Sequence, residues 1–334
     1  MIIVFFNLKI KKMATITALT LITDDSLKQE KQLLEGVFET TGLACIAGAT
    51  DTGKSMLLRD LAIAISQEDD TFLGFKLNSK SNNVLFISTE DSKSKTAELL
   101  RIQTEGLIDN SLNRIHFIFN PDDALIEAKE ALDLIKVDVV FVDCFQDAFQ
   151  GDAIKSGDVR NYLNKWQKLS EEKGCLIIFL HHTNKRSEFD APSKHNLNGS
   201  QGFQAKMRTV VELRTDPSDK NKRHFCIVKG NYLKSEQKDR SFVLYFDSEN
   251  LRFTSKGERA EYSSLYEPKV DFERVNLYKK AALLKSEGLT NKNIAPHLGV
   301  SESTVSRLFT EGKEKGWQND EDQNNEDQGE MELA

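Results

Sequence analysis

Gly48-Ala49-Thr50-Asp51-Thr52-Gly53-Lys54-Ser55 satisfies the pattern G-x-x-x-x-G-K-[ST] at every fixed position. It stands between an apolar run, Leu43 to Ala47, and an amphipathic stretch from Met56 to Ile65. Strand, loop and helix in that order describe a phosphate-binding loop. Glycines at 48 and 53 let backbone N–H groups turn inward around a β-phosphate, where a Cβ would obstruct them. Lys54 would reach the β- and γ-phosphates, and the Ser55 hydroxyl would hold Mg²⁺. The helix that follows would aim its positive end at the triphosphate. The ligands this loop implies are ATP and Mg²⁺, with residues 48 to 56 as the cradle: Gly48, Ala49, Thr50, Asp51, Thr52, Gly53, Lys54, Ser55 and Met56. The alternative is a Gly-rich turn that ends in Lys-Ser by chance, and the agreement of the flanking elements argues against it.

A chain of 334 residues can hold one α/β domain of about 200 to 250 residues and a small appendage. No apolar run approaches the ~18 residues of a membrane helix, so a soluble, cytoplasmic protein without a membrane partner is expected. The run Met1 to Phe6 precedes the basic cluster Lys9 to Lys12, the reverse of a secretory signal's order, and Met13 is an alternative start. Cys45, Cys144, Cys175 and Cys226 lie in or beside expected strands with no C-x-x-C pair. They read as small core residues in a reducing compartment rather than metal ligands. The formal charge of −7 resides at one end: residues 318 to 334 hold seven acids and no base, which leaves the remainder neutral by count.

Strand and helix patterns alternate along the chain, which points to an α/β core with a mostly parallel sheet over residues 35 to 255. A polar lead-in, 1 to 34, comes first, and a helix is expected from Ser26 to Phe38. Further strands are expected at 83 to 89, 115 to 119, 137 to 143 and 176 to 180, with helices from 93 to 106 and 158 to 173. The helix after Phe119 has Asn120 as its expected cap and Pro121 in its first turn. The polar stretch 183 to 200 reads as a mobile loop of the kind that contacts nucleic acid or a neighbouring subunit. Later segments are β-rich, at 209 to 213 and 225 to 229, with a hairpin of 242 to 246 and 251 to 253. Residues 256 to 270 read as a charged linker, 271 to 317 as a small all-α domain, and 318 to 334 as a disordered acidic tail.

Two carboxylates suit the chemistry of a phosphate loop. Asp143 ends the apolar run Val137 to Val142 and is the expected Mg²⁺ partner, although a strand-end acid is often only solvated. Glu90 closes Val84 to Thr89. Hydrolysis needs a carboxylate to orient and deprotonate water, and a strand-end Glu beside the loop strand can supply it. A helix-capping role describes Asp91 or Ser92 better.

The order Gly48 to Ser55, Glu90, Val140-Phe141-Val142-Asp143 and His181-His182-Thr183-Asn184-Lys185 resembles the RecA/DnaB-type P-loop ATPases. It is most similar to the plasmid-replication RepA-like branch of hexameric helicases and related mobile-element ATPases, over about residues 35 to 250. The resemblance implies a RecA-like fold and a ring, a homo-hexamer, acting on DNA. It implies that Glu90 is the catalytic base and that His182 senses the γ-phosphate, with His181 beneath it. Basic residues on late strands would complete the site of the adjacent subunit, which places that role on Arg208 or Lys229. Many relatives carry Lys-x-Arg where this chain has Lys229-Gly230-Asn231, so Arg208 is the better candidate.

The stretch Leu289 to Phe309 looks like a helix-turn-helix preceded by an amphipathic helix. Ile294, Ala295 and Leu298 would face inward, Gly299 turn the chain, Ser301 cap the next helix, and Val305, Leu308 and Phe309 pack it down. Pro296 should keep the first helix of the pair short or kinked. Ser303, Thr304, Ser306 and Arg307 would face a DNA groove, with Lys292 among the lysines near phosphates. Eight bases against six acids in residues 271 to 317 argue for modest affinity, and a protein-binding trihelix stays open. The resulting expectation is an ATP-hydrolysing, DNA-binding protein of a plasmid, phage or integrated element. An ATP-switched sequence-specific regulator and a recombination or partner-loading ATPase are the alternatives.

Overall fold

A computed structural model describes residues 15–24, 32–184, 187, 189–199, 201–231, 233–266 and 272–317. In chain order the elements of the larger unit begin with α1 (Ala18–Thr23) and β1 (Gly42–Gly48), followed by α2 (Lys54–Ser66). A short hairpin, β2 (Thr71–Phe72) and β3 (Phe75–Lys76), leads to β4 (Val84–Ser88), α3 (Lys93–Gln103), β5 (Ile115–Phe119) and α4 (Ala124–Leu134). Then come β6 (Val139–Asp143), the short α5 (Phe145–Ala148), α6 (Ser156–Lys173), β7 (Leu176–His182) and α7 (Gln201–Lys206). The unit ends with β8 (Thr209–Thr215), β9 (Lys222–Gly230), β10 (Arg240–Asp247) and β11 (Arg252–Glu261).

These strands form a nine-stranded sheet in the order β11-β10-β9-β8-β1-β7-β6-β4-β5. From β8 to β5 all neighbours run parallel, while β8 to β11 form an antiparallel extension. Every residue of β1 is buried, as a central parallel strand covered on both faces requires. Its side chains alternate: Ala44 and Ile46 pack with Leu57, Leu58 and Leu61 of α2, whereas Leu43, Cys45 and Ala47 pack on the face covered by Leu163 and Trp166 of α6. Each face thus has its own core, and all parallel strands end at one edge. No helix among the described residues is long and apolar enough to cross a membrane.

Several local expectations are corrected. Of the helix expected over Ser26 to Phe38, the part within the described residues is a tight turn, with Leu34 bridged to Phe38 and to Leu77. Helix α1 has no counterpart in the sequence reading. The cap of α4 is Asp123, whose carboxylate accepts from the Leu125 and Ile126 amides, while Asn120 adopts a left-handed φ of 46° before Pro121. The carboxylate nearer the helix won because it reaches two open amides at once. β11 runs on to Glu261 against β10, into the segment expected as linker, and Leu265 beyond it is buried. The stretch after β7 is tied down within its described residues: Thr183 bridges Leu197, and the Asn184 amide and side chain both donate to the Asn196 carbonyl.

The second unit begins at Pro268 and holds α8 (Phe272–Ser286), α9 (Asn291–Leu298) and α10 (Glu302–Lys315). Its core is Ala281, Ile294, Ala295 and Val305, with Leu298 and Phe309 packed against it. Gly299 ends α9, and Ser301 caps α10 by accepting from the Thr304 amide. Tyr278 lies across Gly312, and Arg274 grips Glu311 with two hydrogen bonds of 2.6 and 2.9 Å. The acidic stretch 318 to 334 and the Met1 to Lys12 segment lie outside the described residues.

Candidate nucleotide-binding site

The site forms where β1 passes through residues 48 to 53 into α2. A Cβ on Gly48 would lie 2.5 Å from the Leu213 carbonyl oxygen and 2.9 Å from Thr52 Oγ1, so only glycine lets the chain leave the sheet there. Gly53 has φ 90° and caps α2 without a side-chain acceptor. Leu57 makes the first intrahelical bond, to the Gly53 carbonyl, which leaves the preceding amides aimed into the loop, ready for an anion. Lys54 folds over the loop, its Nζ 2.8 Å from the Ala49 carbonyl oxygen. Burial lowers its pKa, and the Asp143 and Glu90 carboxylates oppose that shift.

Asp143 sits at the end of β6 and accepts a hydrogen bond from the Ser55 hydroxyl. Burial pushes its carboxyl up to about 6 against that bond, and the nearby Glu90 charge adds to the rise. A buried hydroxyl–carboxylate pair beside a lysine is a donor set suited to a hard divalent cation, and the residues present fit Mg²⁺.

Glu90 is half exposed just past β4, with its Oε1 3.8 Å from Nε2 of His182. The strand it follows is not beside β1, since β7 and β6 intervene. Glu90 nevertheless arrives at the same edge because Ser88 pairs with Asp143 and His182 pairs with Gly48. Thr89 fixes this corner: its amide and hydroxyl both donate to the Asp143 carbonyl, at 2.8 Å, and the hydroxyl accepts from the Cys144 amide at 2.9 Å. The turn also carries the Cys144 thiol to Glu90 and His182, the three donor atoms lying within 4.8 Å of one another. Reading Cys144 as a mere core residue missed this, since nothing in the sequence tells which way a residue just past a strand end turns.

His181 points the other way. It is buried against Phe145 and Phe203, and its ring nitrogen meets the His182 carbonyl at 2.8 Å. Burial lowers its pKa to about 4, so the ring is neutral. Arg208 packs against Gly42, at the opposite end of β1 from Gly48 and about 20 Å away along an extended strand. Lys229 donates to the Gln204 carbonyl at 2.7 Å and so caps α7. Neither cation joins the loop of its own chain.

Other contributors were not foreseen. Arg223 of β9 donates from Nε to the Thr52 carbonyl at 2.9 Å, and the Phe253 ring of β11 stands 2.9 Å from where a Gly53 Cβ would be. Asp60 on α2 pairs with Arg252 at 2.8 Å and accepts from the Phe253 amide. Arg59 pairs with Asp91 at 3.1 Å, while Ser92 caps α3. Beside the loop opens a cavity of about 350 Å³ reached by Thr50, Thr183, Phe189, Arg214, Pro217 and Tyr266. Its floor is braced by buried Glu212, which accepts from Arg214 at 2.7 Å and from the Ser193 amide at 2.9 Å. Arg214 in turn holds the Ser187 and Asp190 carbonyls.

In the small unit Lys292, Ser303, Ser306 and Arg307 are exposed and Thr304 is half-buried. Ser306 accepts from Asn291, and the Ser303 and Thr304 hydroxyls bond to Ser301.

Comparison with known proteins agrees with this geometry. A family model described as "AAA domain" matches residues 14–188. No curated protein matches the chain. Among solved structures, the ATPase domain of a DnaB-like helicase is similar at 15% identity and a TM-score of 0.52, covering 65% of this chain and 85% of that one. The loop, the strand-end carboxylate and the matched span, more than half of the sequence, converge: the chain belongs to the AAA-domain family, and its larger unit is a P-loop ATPase domain of RecA-like fold.

Proposed function

We propose that the protein hydrolyses ATP to move on or remodel DNA, as a RepA-like ring of identical subunits serving the replication or transfer of a plasmid, phage or integrated element. The observation that carries the ATPase part is the meeting of Lys54, Ser55, Asp143, Glu90 and His182 at one sheet edge. In this reading the amides at the start of α2 and Lys54 hold the phosphates, and Ser55 with Asp143 holds the cation. Bound Mg²⁺ would neutralise charge on the phosphates. Glu90 orients and deprotonates water, and His182, beside both Glu90 and Gly48, reports the γ-phosphate. The cavity at Tyr266 is of a size to receive the nucleoside.

Arg208, far from its own loop, would serve a neighbour's site in a homo-hexamer, with Lys229 the weaker candidate because it caps α7. The DNA part is supported by the exposed hydroxyls and cations on α9 and α10, where Arg307 and Lys292 would meet phosphates and Ser303, Thr304 and Ser306 a groove. The same surface favours a second reading, a regulator whose core only switches assembly. Lys54→Ala should lower ATP hydrolysis by at least about 100-fold. A forked-duplex assay with ATP then separates the readings: strand displacement supports the motor, and tight binding to one duplex site without displacement supports the regulator. Parental turnover in Lys54→Ala would end both.

A further inference from the structure

We infer that Glu90, Cys144 and His182 form a binding site for a thiophilic divalent cation of the zinc class, placed so that its occupancy stops nucleotide hydrolysis. The three donor atoms already lie within 4.8 Å of one another. Tetrahedral zinc with bonds of about 2.3 Å to sulfur and 2.0–2.2 Å to nitrogen and oxygen needs donors about 3.3–3.7 Å apart. Closing that gap takes movement of about an ångström. Two of the ligands can supply it, because the side chains of Glu90 and His182 are 47% and 34% exposed, whereas Cys144 is buried and fixed.

The donor types decide which metal fits. A thiolate and an imidazole prefer zinc, cobalt(II) or cadmium, while Mg²⁺ prefers the all-oxygen pair Ser55 and Asp143. Asp147 stands behind the sulfur, Oδ2 3.4 Å from Cys144 Sγ, and accepts from Thr89 at 3.2 Å. A carboxylate placed behind a ligand in this way strengthens metal sites. Binding exchanges the thiol hydrogen for the metal: the S–H bond breaks, a sulfur–metal bond forms, and the proton leaves to solvent. A water or a phosphate oxygen completes the fourth position.

The functional consequence rests on the ATPase reading. A cation on Glu90 removes the carboxylate that would orient water, so hydrolysis stops while Lys54 and the loop amides still hold the phosphates. Binding itself does not depend on that reading.

The test uses the full chain, nucleotide-free, in a non-chelating phosphine reductant, titrated with Co²⁺. A saturable thiolate-to-cobalt charge-transfer absorption is expected, bleached by Zn²⁺ and abolished in Cys144→Ser. The other cysteines, Cys45, Cys175 and Cys226, are buried and would not contribute. His182→Ala should weaken cobalt binding by at least about tenfold, since even groups that only support a ligand are worth that much. No such band with excess Co²⁺, or a band that survives Cys144→Ser, overturns the site. ATP turnover with saturating Mg²⁺ is measured in parallel, each protein against its own zinc-free rate. Cobalt binding with turnover insensitive to Zn²⁺ overturns the blockade, whereas absence of turnover under every condition counts against the ATPase reading and leaves the metal site standing.

Discussion

Asp143→Asn should stabilise the nucleotide-free protein while disabling it. The carboxyl is 4% exposed, and burial lifts it from an ordinary value of 3.8 to about 6, the Ser55 hydrogen bond opposing the rise. Between those two values the folded protein keeps a proton that the unfolded chain has released, so stability falls as pH rises through that interval. Above about pH 6 the loss is complete, and a shift from 3.8 to about 6 corresponds to about 3 kcal/mol. The neutral amide keeps the shape and sheds that cost. In urea denaturation with a chelator present, followed through the buried Trp166, the variant should exceed the parent by up to about 3 kcal/mol near pH 8. The advantage should shrink as pH falls through 6 and vanish near pH 4, where both side chains are neutral. Magnesium and ATP should then stabilise the parent and leave the variant nearly unmoved. A variant less stable than the parent near pH 8 without ligand, or an advantage that ignores pH, would refute the account of Asp143 as a charge held out of water for a cation.

Three further substitutions probe the same edge. Glu90→Gln should lose about 10²- to 10⁴-fold in turnover yet bind a fluorescent nucleotide analogue as the parent does; equal loss of binding would remove Glu90 from the base role. Gly48→Ala must fit a Cβ 2.5 Å from a backbone carbonyl, so a loss of about 1–3 kcal/mol in stability and weaker nucleotide affinity are expected, read by calorimetry. Arg214→Ala leaves Glu212 buried without its partner and should cost about 3–5 kcal/mol; much of this should return in Arg214→Ala with Glu212→Gln, and a double variant no better than the single would sink the pairing argument.

Much of the parallel core was legible because its signals are local. Residues 48 to 55 declare their backbone geometry through two glycines and their chemistry through Lys54 and Ser55, and the β-branched run into Asp143 is visible in one window. Gly174 marks the end of α6 for the same reason. Asn120 misled because Asp123, three residues on, competes for the same helix start and wins by reaching two amides. Glu90 was readable as a strand-end acid, yet its neighbours were not, since the crossing order β1-β7-β6-β4 is set by packing rather than by any stretch of sequence.

What stayed hidden is long-range, and it concerns the loop itself. Arg223 reaches Thr52 across 171 residues, the Phe253 amide reaches Asp60 across 193, and Gln103 joins the carbonyls of Met56 and Leu251, the latter across 148. A polar run such as Lys222-Arg223-His224 looks like the end of a strand in a window of ten residues, whereas its burial beneath the loop makes it part of the strand. These bonds mean that the antiparallel strands at the far end of the core hold the conformation of a loop whose own sequence specifies only its flexibility. Glycine at 48 and 53 permits the phosphate cradle, but each glycine also admits alternatives in the unliganded chain. The side chains that select among them are Arg223, clamping the Thr52 carbonyl, and Phe253, closing over Gly53, so nucleotide affinity should respond to changes on β9 and β11 that touch no phosphate.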